Sequence, residues 1–143
     1  MKTAGPHTPF IGQTRAGCTD LSYNGPMSRT VDGAAAREVL ARFGAGDTLT
    51  RAELRLAARY ALAEFARLHP GRSVEVRLPP AAVVQAIAGP AHTRGTPPNV
   101  VETRPEVWLE LALGKRSWQD ACASGDVQWS GTRADLGEYL PYV

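Results

Sequence analysis

The polar run from His92 to Thr96 contains the side chains best suited to binding a small ligand. It combines an imidazole, the guanidinium of Arg94, two hydroxyls, and a glycine that lets another backbone approach closely. Loops of this length inside a compact domain are often functional. His92 and Arg94 are therefore candidates to hold a carboxylate or phosphate headgroup. The alternative, which we favour on sequence alone, is a structural loop whose arginine and threonine side chains hold its own backbone and the neighbouring strand ends.

The sequence contains no recognisable catalytic motif. The three histidines, His7, His69 and His92, lack metal-ligand spacing, and no GxSxG, GxGxxG or P-loop pattern occurs. A catalytic triad could be assembled from Ser73, His92 and Asp135 only by assuming distances that the sequence does not fix. We therefore predict that the protein is not an enzyme and uses no cofactor or metal.

Composition indicates an ordinary globular protein of 143 residues, with 43% hydrophobic and 21% charged residues. A formal net charge of +2 is too small to indicate a nucleic-acid partner. Cys18 and Cys122 form no CxxC pair, which favours reduced thiols. No run approaches the roughly 18 apolar residues of a membrane span, and the beginning of the chain lacks the apolar segment of a secretory signal. These features predict a cytoplasmic protein.

Residues 1–30 differ in composition from the rest of the chain. They are rich in glycine, proline, serine and threonine and have neither helical nor alternating periodicity. Such a segment cannot bury enough apolar surface to offset its conformational entropy. We expect a disordered tail over 1–30 and a single domain over 31–143.

Two helices are predicted in the first half of the domain. Asp32 is a candidate N-cap for a helix that ends at Gly44 or Gly46. Thr50 and Glu53 fit a capping box, and apolar residues then recur at helical spacing until position 69.

Strands are predicted next, and they set the fold class. Residues 73–78 alternate between apolar and polar side chains, which is typical of an edge or near-edge strand with one wet face. Residues 82–88 are apolar on both faces except for Gln85, which predicts a central strand with a buried amide and an apolar cover on each face. Residues 99–102 and 127–130 are further strands. We expect an α+β domain with about five strands in a mixed sheet.

A strongly apolar helix is predicted over residues 104–113. Thr103 and Glu106 fit a capping box, and Gly114 can supply the left-handed stop. Because only Glu106 and Glu110 interrupt its apolar residues, this helix must be enclosed on most sides or must border an apolar cavity. Ser117 begins a further short helix.

The order of these elements, with the runs LALG at 111–114 and SGDVQWSG at 124–131, resembles the C-terminal half of the sterol-carrier-protein family. The runs GRSVEVRLPP at 71–80 and GPAHTRGTPPNVVET at 89–103 are similar to its small stand-alone bacterial members. The resemblance covers roughly residues 50–141. It implies helices packed over a sheet, with an apolar tunnel between the two layers, and it contains no catalytic signature. Function therefore rests on analogy.

Five apolar residues are candidates to line such a tunnel, and His92 and Arg94 are candidates for its mouth. Each apolar candidate taken singly also suits an ordinary filled core, since both demand the same residue types. The candidates are Val84, Trp108, Leu111, Trp129 and Leu136.

The resemblance predicts a soluble carrier of a lipid, a fatty acyl chain or a sterol-like molecule. The alternative is a non-catalytic accessory or interaction domain for a partner enzyme, with no lipid cavity. A stripe formed by Arg51, Arg55 and Arg59 is compatible with contact to an anionic membrane surface. We favour a solvated face for that stripe, because charged outer faces are routine.

Overall fold

The computed structural model describes residues 32–90 and 99–143, which form an α+β domain with one sheet. The helices are α1 (Gly33–Gly44), α2 (Arg51–Leu68), α3 (Pro105–Ala112) and α4 (Trp118–Ala123). The strands are β1 (Val74–Leu78), β2 (Ala82–Ala86), β3 (Val100–Thr103) and β4 (Val127–Ser130), and a 3-10 turn covers Gly137–Tyr139. The predicted α+β class is confirmed.

The sheet is open and mixed, with the strand order β2-β1-β3-β4. β1 pairs antiparallel with β2 and parallel with β3, and β3 pairs antiparallel with β4. The sequence predicted about five strands, whereas the described residues form four. β1 therefore lies one strand from the edge, within the edge or near-edge range that its alternation predicted.

The two faces of the sheet differ in polarity. The inner face carries Val74, Val76 and Leu78 of β1, all buried under the helices. The outer face carries polar side chains, and on it Arg77 Nε lies 2.5 Å from Glu75 Oε1. In a sheet with one buried face and one solvent-exposed face, apolar and polar residues alternate along each strand, as they do in β1.

The prediction that residues 82–88 form a central strand is wrong. β2 ends at Ala86 and lies at the edge of the sheet among the described residues, with Val83 60% exposed on the outer face. Gln85 is exposed rather than buried, and its side-chain oxygen accepts a hydrogen bond of 3.0 Å from Arg72 Nε. The physical reason is that the outward apolar surface consists of one valine, which a protein surface tolerates singly. No apolar cover over the outer face is required.

The predicted starts of the first two helices are confirmed. Asp32 Oδ1 accepts hydrogen bonds of 3.1 Å from the backbone N–H groups of Ala34 and Ala35. At α2, Glu53 N donates to Thr50 Oγ1 and Thr50 N donates to Glu53 Oε2, which completes the capping box. Both arrangements satisfy N–H groups that a helix leaves without partners at its first turn.

The predicted capping box at the start of α3 is wrong. Thr103 is the last residue of β3, and its hydroxyl donates a 2.6 Å hydrogen bond to the carbonyl of Asp126. The N-cap is Arg104, without a side-chain cap, and Pro105 begins the helix, where its missing N–H costs nothing. The predicted stop is confirmed, because Gly114 has a φ of 72°.

The core lies between the inner face of the sheet and the helices. α2 contacts α1, α3 and β2, so it is the central element of the helix layer. Phe65 and Leu62 of α2 are fully buried, as are Trp108 and Leu109 of α3.

Candidate ligand-binding site

Helix α3 is the most enclosed element of the candidate site. Six of its eight residues are buried, and Glu106 and Glu110 are the two exceptions. Of the two alternatives that the sequence left open, enclosure on most sides agrees with this burial, and a bordering apolar cavity stays a prediction. Its burial is the expected result for a helix with almost no polar face.

Aromatic side chains meet where α2, α3 and the end of the chain come together. We call Phe65, His69, Trp108, Tyr139 and Tyr142 the aromatic junction. The ring of Phe65 lies 5.2 Å from that of Trp108 in an edge-to-face arrangement, and 5.3 Å from that of Tyr142. The ring of His69 lies 4.8 Å from that of Tyr139. Such geometries add to the stabilisation that apolar burial alone provides.

Two hydrogen bonds cross the aromatic junction through one hydroxyl. Trp108 Nε1 donates to Tyr142 Oη at 3.0 Å, and Tyr142 Oη donates to the carbonyl of Ala61 at 2.5 Å. Burial raises the pKa of Tyr142 well above its ordinary range, against a smaller lowering by Trp108. The hydroxyl is therefore neutral at physiological pH, and it accepts one hydrogen bond and donates the other.

The predicted tunnel residues are only partly brought together. Trp108, Leu111 and Leu136 are buried in one core cluster, and Val84 is partly buried against it. The strand registers put Val84 and Trp129 in the same row of the inner face, at its two opposite edges. They lie about 14 Å apart, because three spacings of about 4.8 Å separate the strands. A tunnel between the layers is not confirmed.

Trp129 is the candidate farthest from the core. It is 47% exposed on the edge strand β4 and is a neighbour of the Cys122 thiol. Burial raises the pKa of that thiol, while a hydrogen bond involving Trp129 opposes the shift. The cysteine is therefore a neutral thiol and a poor nucleophile.

His92 and Arg94 lie outside the described residues, but the segments that flank their loop are described. Asn99 Nδ2 donates to the carbonyl of Ser73 at 2.8 Å, and the backbone N–H of Arg133 donates to Asn99 Oδ1 at 3.1 Å. Ser73 Oγ donates to the carbonyl of Ile87 at 2.8 Å. The described residue Asn99, on one side of positions 91–98, is thus bonded to Ser73 and Arg133, and Ile87, on the other side, is bonded to Ser73.

Ile87 has an unusual backbone conformation, with a φ of 67°. A β-branched residue in this region is an outlier that its surroundings must enforce. Its N–H donates to the carbonyl of His69 at 2.8 Å, and its carbonyl also accepts from Ser73 N at 3.1 Å. Gly71 allows this approach, since a Cβ there would lie 2.0 Å from the Ile87 oxygen. We call Gly71, Ser73, Ile87, Asn99 and Arg133 the polar corner.

An open cleft of about 470 Å³ adjoins the polar corner. It offers a guanidinium, an amide, hydroxyls and two carboxylates at the surface. No local sequence motif marks Arg133 or Tyr139 of this cleft, or Tyr142 of the junction, as functional. The only signal for the tyrosines was the aromatic-rich end of the chain. The lining residues are Ile87, Ala88, Gln119, Thr132, Arg133, Asp135, Gly137, Glu138 and Tyr139.

Residues 32–90 and 99–143 contain neither a metal-binding cluster nor a membrane-spanning helix. Over these ranges no group of three or more His, Cys, Asp or Glu side chains is arranged to hold a metal ion. Within the same ranges no helix combines the length and apolar character needed to cross a bilayer.

Comparison with known families identifies the group to which the chain is related. Residues 50–142 match the family described as bacterial SCP ortholog, that is, bacterial relatives of sterol carrier protein. The chain belongs to this family. The match begins at the N-cap of α2, so α1 lies outside it, and it includes α3, the polar corner and Tyr142. No curated protein matches the chain. Membership of this SCP family supports a role in binding lipids.

Proposed function

We propose that this protein is a carrier for an apolar ligand, namely a lipid, a fatty acyl chain or a sterol-like molecule. The observation that carries the proposal is the membership of residues 50–142 in the bacterial SCP family. The strongly apolar helix α3 supports it, since that helix provides a wall of the kind an apolar ligand needs.

The ligand would lie in an apolar tunnel between the helix layer and the inner face of the sheet. Trp108, Leu111 and Leu136 would form its inner wall, while Val84 and Trp129 would lie towards its two ends. Burial of apolar ligand surface would supply the affinity, at about 25 cal/mol per Å² before the costs of association. We expect dissociation constants on the order of 1 μM, or about −8 kcal/mol.

A ligand with a carboxylate or phosphate headgroup would hold that group at the mouth, where we propose that His92 and Arg94 contact it. Arg94 should contribute more than His92, because a guanidinium can form several fixed hydrogen bonds at once. The attached flanks of this loop support the proposal, because a headgroup site needs a rigid frame. The open cleft beside Arg133 leaves room for a group that stays hydrated.

The carrier would work in the cytoplasm, with either a membrane surface or a partner enzyme as donor and acceptor of its ligand. The stripe of Arg51, Arg55 and Arg59 is available for the membrane alternative, since Arg51 and Arg55 are exposed and Arg59 is partly so. Catalysis is not part of the proposal, because the Cys122 thiol is held neutral and the sequence has no nucleophile motif.

A second candidate function is an accessory domain without a lipid cavity. The aromatic junction favours it, because Tyr142 and Phe65 fill the space beside Trp108. Within the described residues no buried side-chain nitrogen or oxygen lacks a hydrogen-bond partner, as expected of a core that is complete without a ligand.

Native mass spectrometry of the purified protein separates the two candidates, followed by titration with a fluorescent fatty acid. The carrier predicts a co-purified or added lipid at one per chain. Arg94→Ala should weaken binding of a fatty acid more than His92→Gln does, and should have little effect on the matched fatty alcohol. A protein that binds no lipid of several classes would be an accessory domain.

A further inference from the structure

We infer that the C-terminal segment Leu140–Val143 is a displaceable wall, and that the ligand is an apolar molecule whose hydroxyl takes the place of the Tyr142 hydroxyl. The inference rests on the proposed carrier function. It adds the chemical class of the ligand and the element that moves.

The backbone of the segment is held at few points. The backbone N–H groups of Tyr142 and Val143 both donate to the carbonyl of Ala112, at 3.0 and 3.2 Å. That carbonyl belongs to the last residue of α3, where carbonyls have no partner within the helix. The remaining attachment of Tyr142 is through its side chain, whose hydroxyl makes two hydrogen bonds. The segment can therefore leave without disrupting a helix or a strand.

The side chain of Tyr142 occupies an apolar site between α2 and α3. Its ring lies 5.3 Å from Phe65 and 6.3 Å from Trp108, both fully buried. Withdrawal of this ring would expose the faces of two large aromatic residues. Apolar burial is non-directional, so another apolar body of similar width can restore it.

The hydrogen bonds of Tyr142 restrict what can replace it. Its hydroxyl accepts from Trp108 Nε1 and donates to the carbonyl of Ala61. A hydrocarbon in its place would leave the indole N–H buried and without a partner, which is costly. A ligand hydroxyl can both donate and accept, and so can reproduce both bonds. An alcohol-type lipid, with its hydroxyl at the inner end, therefore fits best.

The test compares the wild type with Tyr142→Phe, using 1-dodecanol to displace a fluorescent fatty acid. The variant keeps the ring but loses both hydrogen bonds, so the closed segment is weakened while the open site is unchanged. A larger fraction of the protein then has the segment displaced and can bind ligand, which lowers the apparent dissociation constant. We expect dodecanol to bind about fivefold tighter or more. Tyr60→Phe is the matched control and should leave binding unchanged, because its hydroxyl lies outside the aromatic junction and accepts a hydrogen bond from Arg37, at 3.3 Å.

The outcomes separate this inference from the function on which it rests. Unchanged or weaker binding by Tyr142→Phe, with clear binding by the wild type, would overturn the displaceable wall alone. Absence of binding by all three proteins would overturn the carrier function. Amide exchange of the unmodified chain gives an independent measurement. With dodecanol bound, the N–H groups of Tyr142 and Val143 should exchange faster, and slower exchange would contradict the inference.

Discussion

The aromatic junction and the polar corner lie on either side of His69, and they are held together by different interactions. On one side the ring of His69 lies 4.8 Å from that of Tyr139, within a cluster of packed aromatic rings. On the other side its carbonyl accepts from the N–H of Ile87 at 2.8 Å, within a set of short polar bonds. The junction is filled by large side chains, whereas the corner is built from backbone groups and the short polar side chains of Ser73 and Asn99.

This difference indicates which region can adapt. Apolar contacts have no preferred direction, so the junction can exchange one apolar body for another at moderate cost. The corner depends on directional hydrogen bonds to a strained residue, and each lost bond leaves a buried polar group. We therefore expect the junction to admit a ligand and the corner to keep the same geometry throughout.

The largest effect should come from removing the central ring of the junction. Trp108→Ala deletes a fully buried side chain and should lower the free energy of unfolding by about 3–5 kcal/mol. Trp129→Ala removes the same side chain from a half-exposed edge position and should cost about 1 kcal/mol or less. Urea denaturation measures both. Similar losses would mean that the junction is not the main packing centre.

The next largest effect should come from the glycine that admits the Ile87 carbonyl. Gly71→Ala places a Cβ 2.0 Å from that oxygen at a φ of 151°. Left-handed strain of about 1–2 kcal/mol and overpacking of about 1–3 kcal/mol should both oppose folding. The control is Gly46→Ala, where φ is 98° and nothing lies within 4 Å, so the strain acts alone. Equal losses of thermal stability would show that the corner can rearrange.

A smaller effect should follow from breaking the polar bonds of the corner. Asn99→Ala leaves the Ser73 carbonyl and the Arg133 N–H without their partner. The expected loss of unfolding free energy is about 1–3 kcal/mol. Chemical denaturation gives the value, and a loss below about 0.5 kcal/mol, the range of ordinary surface changes, would contradict the rigid corner.

The smallest effect should be a loss of stability at alkaline pH that originates in the aromatic junction. Folding raises the pKa of Tyr142 above its value of about 10 in the unfolded chain. The hydroxyl therefore contributes fully to the free energy of unfolding below pH about 10, and this contribution is lost as pH rises towards the pKa of the folded state. Unfolding free energies of the wild type should therefore fall more steeply above pH about 10 than those of Tyr142→Phe. Parallel pH profiles would place the hydroxyl in water rather than in the junction.

Local patterns in the sequence predicted most of the fold. The caps at Asp32 and Thr50 and the stop at Gly114 were predictable because each satisfies backbone groups within a few residues. The predicted capping box at Thr103 was wrong because the Thr103 hydroxyl donates instead to the carbonyl of Asp126, which lies 23 residues away along the chain. The predicted central position of β2 was wrong, since apolar content alone does not show how many strands pair with a given strand.

The candidate site was less predictable than the fold. The burial of Trp108 and Leu111 followed from the apolar character of α3. The role of Tyr142 did not, because its bonds to Trp108 and Ala61 span 34 and 81 residues of sequence. Arg133 was missed for the same reason, since its N–H bonds to Asn99 across 34 residues.

Methyl and indole NMR spectra of the intact chain, titrated with 1-dodecanol, test the central claim most directly. A carrier with its site between the helices and the inner face predicts saturable shifts at Leu111, Leu136 and the Trp108 indole N–H. Val83 serves as the internal control, since it is 60% exposed on the outer face and should not shift. Shifts confined to outer-face valines, or none at saturating ligand, would contradict the account.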